Sequence, residues 1–434
     1  MNNTIITIEE KVCAVSITAI KGMNDILPGD VETWQFLEQT AREVFGCYGF
    51  AEIRTPVPEK TELFCRSIGE TTDIVEKEMY TFFDKSENSL TLRPEGTAPV
   101  MRSFIQNRLY NLDPVSKLFY MGPMFRYERP QKGRYRQFHQ LGVEVLGVED
   151  AKIDAQVLAM LHQYFIRIGI ESVSLQINSL GCPECRPAYR ESLIAYLETR
   201  LESLCPECQR RYVTNPLRVL DCKVSGCQEA TVDAPAVIDH LCSACDDHFG
   251  QVKKYLQSLD VPFSVNARMV RGLDYYVRTT FELVTDQLGS QNAVAAGGRY
   301  DGLVKSLGGP AMPGIGFAIG LERLVLMKGA EKIAPVSPQL FIAAIGAEAS
   351  DRAFVLMSQL QVAGIRAEMD YLGKSLKAQM RRANKLNAAF TLVLGEDELQ
   401  SGKAQLKDMA DSSQSTVELD DLAAALRKKL AETL

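Results

Sequence analysis

Ser116-Lys-Leu-Phe-Tyr-Met-Gly-Pro-Met-Phe-Arg-Tyr-Glu-Arg-Pro-Gln-Lys-Gly-Arg-Tyr-Arg-Gln-Phe-His-Gln-Leu-Gly-Val-Glu-Val-Leu146 is the stretch on which the fold turns. Residues 116–127 and 137–146 read as strands, and the polar segment 128–136 separates them. This is an antiparallel hairpin with an unusually long connection, and long loops on rigid hairpins tend to carry function. Arg126, Arg129, Lys132, Arg134 and Arg136 crowd the loop against one acid, Glu128. A solvated basic loop would explain the charge alone. However, Arg126 sits at the inner end of a strand, and beyond the loop Gln140 and Glu144 share one face at the strand period of two. Guanidinium, amide and carboxylate on one face suit a charged triphosphate beside a zwitterion.

Toward the N-terminus, Phe36, Leu37, Ala41, Val44 and Phe45 recur at helical spacing until Gly46 and Gly49 end the helix. A short strand over 51–56 follows, and its proline suits an edge or an interface. In Thr91-Leu-Arg-Pro-Glu-Gly-Thr97, Thr97 is a candidate N-cap, with Glu95 beside the helix N-terminus. Toward the C-terminus come a helix over 151–168, a strand over 173–178 and a helical, cysteine-bearing stretch over 181–262. Strands over 263–266, 275–283 and 293–297 and a helix over 320–328 complete this part. Two prolines mark 329–338 as a linker. From residue 340 strands and helices alternate, which predicts a small α/β domain with a largely parallel sheet.

The 434 residues allow two to four domains, and 46% hydrophobic with 24% charged residues is a globular composition. A net charge of −7 excludes a protein that coats nucleic acid through bulk charge, so a nucleic-acid partner must meet a local patch. One candidate patch is Lys374, Lys377, Arg381 and Lys385, spaced to align on one helix face in a segment without acids. The apolar run 12–20 is too short to span a bilayer and has no cleavage site of the usual form, so a cytoplasmic protein without membrane contact is expected. Eight of eleven cysteines fall in four pairs: Cys182/Cys185, Cys205/Cys208, Cys222/Cys227 and Cys242/Cys245. Three pairs have the two-residue spacing that lets both thiolates meet one zinc ion. Structural Zn2+, buried thiols and iron–sulfur or redox pairs all remain open, and the spacing does not decide which pairs share an ion.

In their order along the chain, these segments resemble the histidyl-tRNA synthetases, a family of class II aminoacyl-tRNA synthetases. The resemblance runs from Ala19 to the C-terminus. Gly49-Phe-Ala-Glu-Ile-Arg-Thr-Pro56 is similar to the class II dimer motif, Phe125-Arg-Tyr-Glu128 with its loop to the second motif, and Gly320-Leu-Glu-Arg323 to the third. Arg271-Gly-Leu-Asp-Tyr-Tyr276 and Ala296-Gly-Gly-Arg-Tyr-Asp301 are similar to the histidine-specific signatures. The implied fold is α+β: an antiparallel six-stranded catalytic sheet flanked by helices (19–170 and 263–328), a helical insertion (171–262), a linker (329–338) and a C-terminal α/β anticodon-binding domain (339–434). Residues 1–18 are an extension with no assigned role.

The implied activity is ATP-dependent ligation of L-histidine to tRNA(His) through a histidyl-adenylate, by a homodimer using Mg2+ with ATP. On this resemblance Glu95, Thr97 and Gln140 hold the α-ammonium, while Glu144 and Tyr276, with Tyr275 beside it, read the imidazole. Arg126 touches the α-phosphate, Arg134 and Arg323 the terminal phosphates, and Glu128 belongs to the ATP set. Arg271 bridges the histidine carboxylate and the α-phosphate, so Arg271 and Arg126 are the expected catalytic pair. Arg129, Lys132 and Arg136 join the C-terminal patch as tRNA contacts. His139 should face away from the substrate. A synthetase-like regulatory subunit of histidine biosynthesis is the rival, but such paralogues typically lack the last domain and erode the Arg271 segment. A general RNA-binding scaffold would explain the loop but not Glu95, Glu144 and Tyr276 together.

Overall fold

The computed structural model describes residues 17–69, 72, 74–270, 275–288, 292–329, 333 and 335–432. The chain divides into two compact units at residues 333/334. In the first, the helix Val31–Cys47 buries Trp34, Leu37, Ala41, Val44 and Phe45 along one stripe. It stops where Gly49 takes a positive φ of 80° and the Phe50 N–H closes back on the Phe45 carbonyl at 3.0 Å. Only glycine adopts that backbone without strain.

The stripe packs on a sheet whose strand order is Ala51–Glu52, Ser116–Phe125, Gln137–Leu146, Gly314–Gly320, Ala293–Arg299, Val277–Val284, Ser174–Ser179, Ser264–Val265. The six inner strands are antiparallel throughout, as expected. Each edge carries an additional two-residue strand in parallel pairing, so the sheet has eight strands rather than six. The expected strand over 51–56 is hydrogen-bonded only at Ala51–Glu52, and Pro56 lies beyond it.

The pleat divides the strand Gln137–Leu146 between two environments. Leu141, Val143 and Val145 join the helix-side core with Phe45, Phe119, Tyr164 and Phe317. The alternate residues Gln140, Gly142 and Glu144 face the other side. His139 belongs to the helix side, where its ring stands edge-on to Trp34 and Nδ1 lies 3.0 Å from Glu322 Oε1. The helix Ala151–Arg167 is capped by Asp150, which accepts from the Lys152 N–H at 2.8 Å. Inside it, the fully buried Asp154 receives the Arg299 Nε at 2.8 Å, while Arg299 also donates to the Val148 and Glu149 carbonyls.

A three-stranded antiparallel sheet, Pro58–Lys60, Ser89–Leu92 and Tyr80–Phe83, leads into the helix Thr97–Gln106. The cysteine-bearing stretch holds the helices Arg186–Glu198, Pro206–Thr214, Leu217–Leu220 and Ser225–Ala230. Its two ends belong to the main body: Ser174–Ser179 is a strand of the large sheet, and the helix Ser243–Ser258 buries Phe249, Val252 and Leu256 in the helix-side core.

The second unit has the strand order Ala367–Met369, Leu340–Ala344, Phe390–Leu394, Lys403–Asp408, Gln414–Glu418. The first three are parallel, with helices Ala347–Val362 and Leu376–Lys385 as crossovers. The last two form an antiparallel hairpin that the sequence reading left out, so this sheet is mixed rather than largely parallel. Among the described residues no helix is long and apolar enough to cross a membrane.

Removing one partner of the Arg299–Asp154 pair strands a charge that water cannot reach. Asp154→Ala is expected to cost about 3–5 kcal/mol. A lowered urea midpoint followed by Trp34, the chain's one tryptophan, checks it, because that fluorescence reports on the first unit alone.

Candidate active site

On the sheet face away from the helices lies a cavity of about 320 Å³. Its floor is main chain. Gln140 is flanked in register by Gly122 and Gly320, and Glu144 lies opposite Gly316. A Cβ on Gly316 would stand 2.1 Å from Glu144 Oε2, so no other residue fits there. Glu144 is 1% exposed. The Thr97 hydroxyl donates to its Oε1 at 2.7 Å, and the Tyr300 hydroxyl donates to Oε2. Burial pushes the Glu144 carboxyl up to about 8, against the pull of those two hydroxyls.

Glu95 occupies the mouth of the helix Thr97–Gln106. The Thr97 and Ala98 N–H groups donate to its two oxygens at 2.7 and 2.9 Å. Thr97 is therefore the first helical residue rather than the cap. Gly96 is the N-cap position, and the Glu95 carboxylate does the capping. Burial raises the Glu95 carboxyl even so. Gln140 Oε1 is buried without a hydrogen-bond partner among the described residues. Tyr275 and Tyr276 form a wall, with ring centroids 4.7 Å apart and space provided by Gly298. Glu95, Thr97, Gln140, Tyr275, Tyr276 and Tyr300 line one end of the cavity, whereas the Glu144 carboxyl, expected in the histidine site, lies behind that wall, covered by the Thr97 and Tyr300 hydroxyls.

The other end is cationic. Arg126 donates from Nε to the Pro94 carbonyl at 2.8 Å and lies over the Phe138 ring. Arg134 pairs with Glu128 at 2.7 Å. Arg323 donates to the Ala293 carbonyl, and burial with the neighbouring Arg134 and Arg126 charges pulls it below its usual range. Three guanidiniums held together against one carboxylate form a site for a polyanion.

Elsewhere the expectations separate. Arg129 and Lys132 project from the loop into solvent, whereas Arg136 stacks on Tyr127 with its guanidinium 4.0 Å from the ring centre. Arg271 lies outside the described residues. Of the basic patch, Lys377, Arg381 and Lys385 follow one another by four on the helix Leu376–Lys385 and are exposed. Lys374 precedes that helix, in a turn organised by Asp370, which accepts from the Lys374 N–H at 2.9 Å. Helical spacing therefore overreached by one residue. The eight paired cysteines form two groups of four, Cys182/Cys185/Cys242/Cys245 and Cys205/Cys208/Cys222/Cys227, with the sulfurs of each group within 4.8 Å of one another.

Residues 22–324 match the family model for histidyl-tRNA synthetase, and 339–429 match the anticodon binding domain. The chain belongs to the histidyl-tRNA synthetase family. It is 69% identical to the histidine--tRNA ligase of Syntrophotalea carbinolica, over 96% of this chain and 99% of that relative. It is 64% identical to the histidine--tRNA ligase of Geobacter metallireducens, over 94% and 99%. The crystal structure of apo Staphylococcus aureus histidyl-tRNA synthetase superposes with a TM-score of 0.81 at 38% identity, over 95% of this chain and 100% of that one.

Like the rest of the family, the chain is thus an aminoacyl-tRNA synthetase that charges tRNA(His) with histidine using ATP with Mg2+. These relatives favour ligation over the regulatory alternative. Sequence reasoning missed Tyr300 as the partner of Glu144, although Ala296-Gly-Gly-Arg-Tyr-Asp301, similar to a histidine-specific signature, contains it. The arginine of that signature, Arg299, serves the buried pair with Asp154 and not the cavity.

The raised Glu144 carboxyl links stability to pH. The folded state keeps a proton up to about pH 8 that the unfolded chain releases near 4.5. The contribution is full below 4.5 and is lost as pH rises through about 8. Wild-type stability should therefore fall from pH 5.5 to 8.5, and Glu144→Gln should flatten that fall by up to ~1.4 kcal/mol per pH unit. Urea midpoints read through Trp34 across the interval measure the difference.

Proposed function

We propose that the cavity makes the histidyl-adenylate, and that its two ends divide the two substrates. The observation that carries this reading is the convergence of Glu95, Gln140 and Tyr276 with Arg126, Arg134 and Arg323 on one cavity, with Glu144 bonded behind its wall to the Thr97 and Tyr300 hydroxyls. Glu95 and the Gln140 amide oxygen, with Thr97, hold the α-ammonium. Glu144 reads one imidazole nitrogen through the Thr97 and Tyr300 hydroxyls it holds at the wall, and Tyr276 reads the other, with Tyr275 packed behind. A neutral imidazole has one donor and one acceptor, and a competitor lacking either leaves a buried partner unpaired.

Arg126 takes the α-phosphate, Arg134 and Arg323 the terminal phosphates, and Glu128 orients Arg134. Mg2+ arrives with ATP and neutralises phosphate charge. The histidine carboxylate attacks the α-phosphorus in line and diphosphate leaves. The terminal ribose hydroxyl of tRNA(His) then attacks the acyl carbon and AMP leaves. Arg271 bridges the carboxylate and the α-phosphate during the first step. Such displacement needs positioning and charge neutralisation more than a general base.

The remaining assignments follow the same reading. Residues 19–170 and 263–328, together with the strand Ser174–Ser179 and the helix Ser243–Ser258, form the catalytic domain; the rest of 171–262 is the insertion, and 339–434 the anticodon-binding domain after a linker at 329–338. The exposed edge strand Ala51–Glu52 supports a homodimer contact through 49–56. Arg129 and Lys132, with Arg136, meet the tRNA near the active site, and the patch Lys374, Lys377, Arg381 and Lys385 meets phosphates near the anticodon. The paired cysteines hold structural zinc, and a cytoplasmic location suits a chain whose described cysteines are all free of disulfides.

Histidine-dependent ATP–pyrophosphate exchange tests the central claim. Arg271→Ala should lower its rate by about 10²–10³, and a variant exchanging at the wild-type rate overturns the assignment. Glu144→Gln should raise the histidine KM and leave the ATP KM in place. Charge-neutralising Lys377, Arg381 and Lys385 together should raise the tRNA KM and flatten the salt dependence of tRNA binding, with exchange, which needs no tRNA, as the internal control.

A further inference from the structure

The two groups of four cysteines are built alike. Each opens with the same turn, Cys182-Pro-Glu-Cys185 and Cys205-Pro-Glu-Cys208. Within the first, Cys182 Sγ lies 3.6 Å from Cys185 Sγ and 3.9 Å from Cys242 Sγ. In the second, Cys205 and Cys222 stand 3.9 Å apart. A disulfide would bring two sulfurs to about 2.05 Å. Four thiolates around one zinc ion, each at about 2.3 Å, stand about 3.8 Å from one another. The main chain also supports thiolates: the Cys242 N–H points at Cys185 Sγ at 3.1 Å, and the Cys205 N–H at Cys227 Sγ at 3.1 Å.

The two groups are nested, and they differ in what they touch. The inner group closes 205–227 on itself. The outer group ties the first residues of the insertion to the start of the helix Ser243–Ser258, which packs in the main core. Its root is bonded to the wall of the amino-acid cavity. The Leu180 N–H donates to the Arg278 carbonyl at 2.7 Å, and the Arg278 N–H donates to the Gly181 carbonyl at 2.9 Å. Arg186, the residue after Cys185, donates from its guanidinium to the carbonyl of Tyr276. Arg278 itself holds a positive φ of 49°, a conformation that an arginine keeps only where its surroundings impose it. The tyrosine wall therefore runs directly into a strained residue braced by the base of the outer group.

We propose that Cys182, Cys185, Cys242 and Cys245 bind one zinc ion whose occupancy holds the main chain of 276–278, and with it the Tyr276 side of the histidine pocket, in place. Cys205, Cys208, Cys222 and Cys227 bind a second ion that organises the insertion. Arg186 is a positioning residue: it acts through the Tyr276 carbonyl and does not touch substrate. The coupling rests on the reading of this cavity as the histidine site, whereas the metal sites do not.

The test uses the full chain purified without chelator. Elemental analysis should find two equivalents of zinc. Cys182→Ser with Cys185→Ser and Cys205→Ser with Cys208→Ser should each lose one. In pyrophosphate exchange the outer pair should raise the histidine KM on the order of tenfold, well beyond the effect of the inner pair, with the ATP KM moving little. Arg186→Ala should keep both zinc ions, fold as the wild type does, and still raise the histidine KM. This variant carries the test if the serine pairs fail to fold. Absence of stoichiometric zinc, or iron in its place, overturns the metal assignment. Two zinc ions with a wild-type histidine KM in Arg186→Ala overturn the coupling. No histidine-dependent exchange in the zinc-replete wild type would instead remove the histidine reading and leave the metal count standing.

Discussion

A carboxyl group placed where water cannot follow organises the catalytic half of this molecule. Burying Glu144 at the centre of a sheet costs free energy unless hydrogen-bond donors meet it, and the donors come from far along the chain. Thr97 arrives from the helix behind Glu95, and Tyr300 from beyond the strand Ala293–Arg299. The strand opposite must carry glycine at 316 because the carboxylate occupies the volume of a side chain there. The antiparallel register fixes the glycine opposite, and a slip by one residue would exchange Glu144 for Val143 or Val145 and put an aliphatic group in its place.

The cationic end obeys a different constraint. Three guanidiniums in proximity repel one another, and the fold restrains them with carbonyls, a ring and one carboxylate. The Pro94 and Ala293 carbonyls take Arg126 and Arg323, Phe138 lies beneath Arg126, and Glu128 takes Arg134. The guanidiniums are therefore held in place before any anion arrives, the kind of preorganisation the proposed displacement at phosphorus would use. The acidic net charge of the chain is compatible with this because Arg126, Arg134 and Arg323 form a local cluster within one cavity.

What was legible in the sequence was periodic or local. The hairpin around 128–136, the helix ending at Gly49 and the parallel strands of the second unit each carry a pattern within one window. The strands Pro58–Lys60 and Ser89–Leu92 are too short and too polar to show one. The hairpin of Lys403–Asp408 and Gln414–Glu418 alternates, but in the first of these strands only Ala404 and Leu406 are apolar on the buried face. Partners distant in sequence were illegible for a plainer reason. Glu144 and Tyr300 are 156 residues apart, and Cys185 and Cys242 are 57 apart, so spacing holds no information on either pairing. Arg299 shows the converse: a signature arginine beside a ligand segment is spent on a buried aspartate, and only burial distinguishes the two uses.

The glycine floor has a consequence for anyone wishing to alter the substrate. Enlarging a binding site ordinarily means trimming a side chain beneath the ligand, yet at 316 there is nothing to trim, and the main chain is already the surface. Room for a bulkier ligand would have to be cut from the tyrosine wall, where Tyr275 and Tyr276 pack ring against ring. On the proposed assignment of Tyr276 to the imidazole, the ring that would yield space also sets selectivity, so a broadened specificity would come with a loosened grip on histidine.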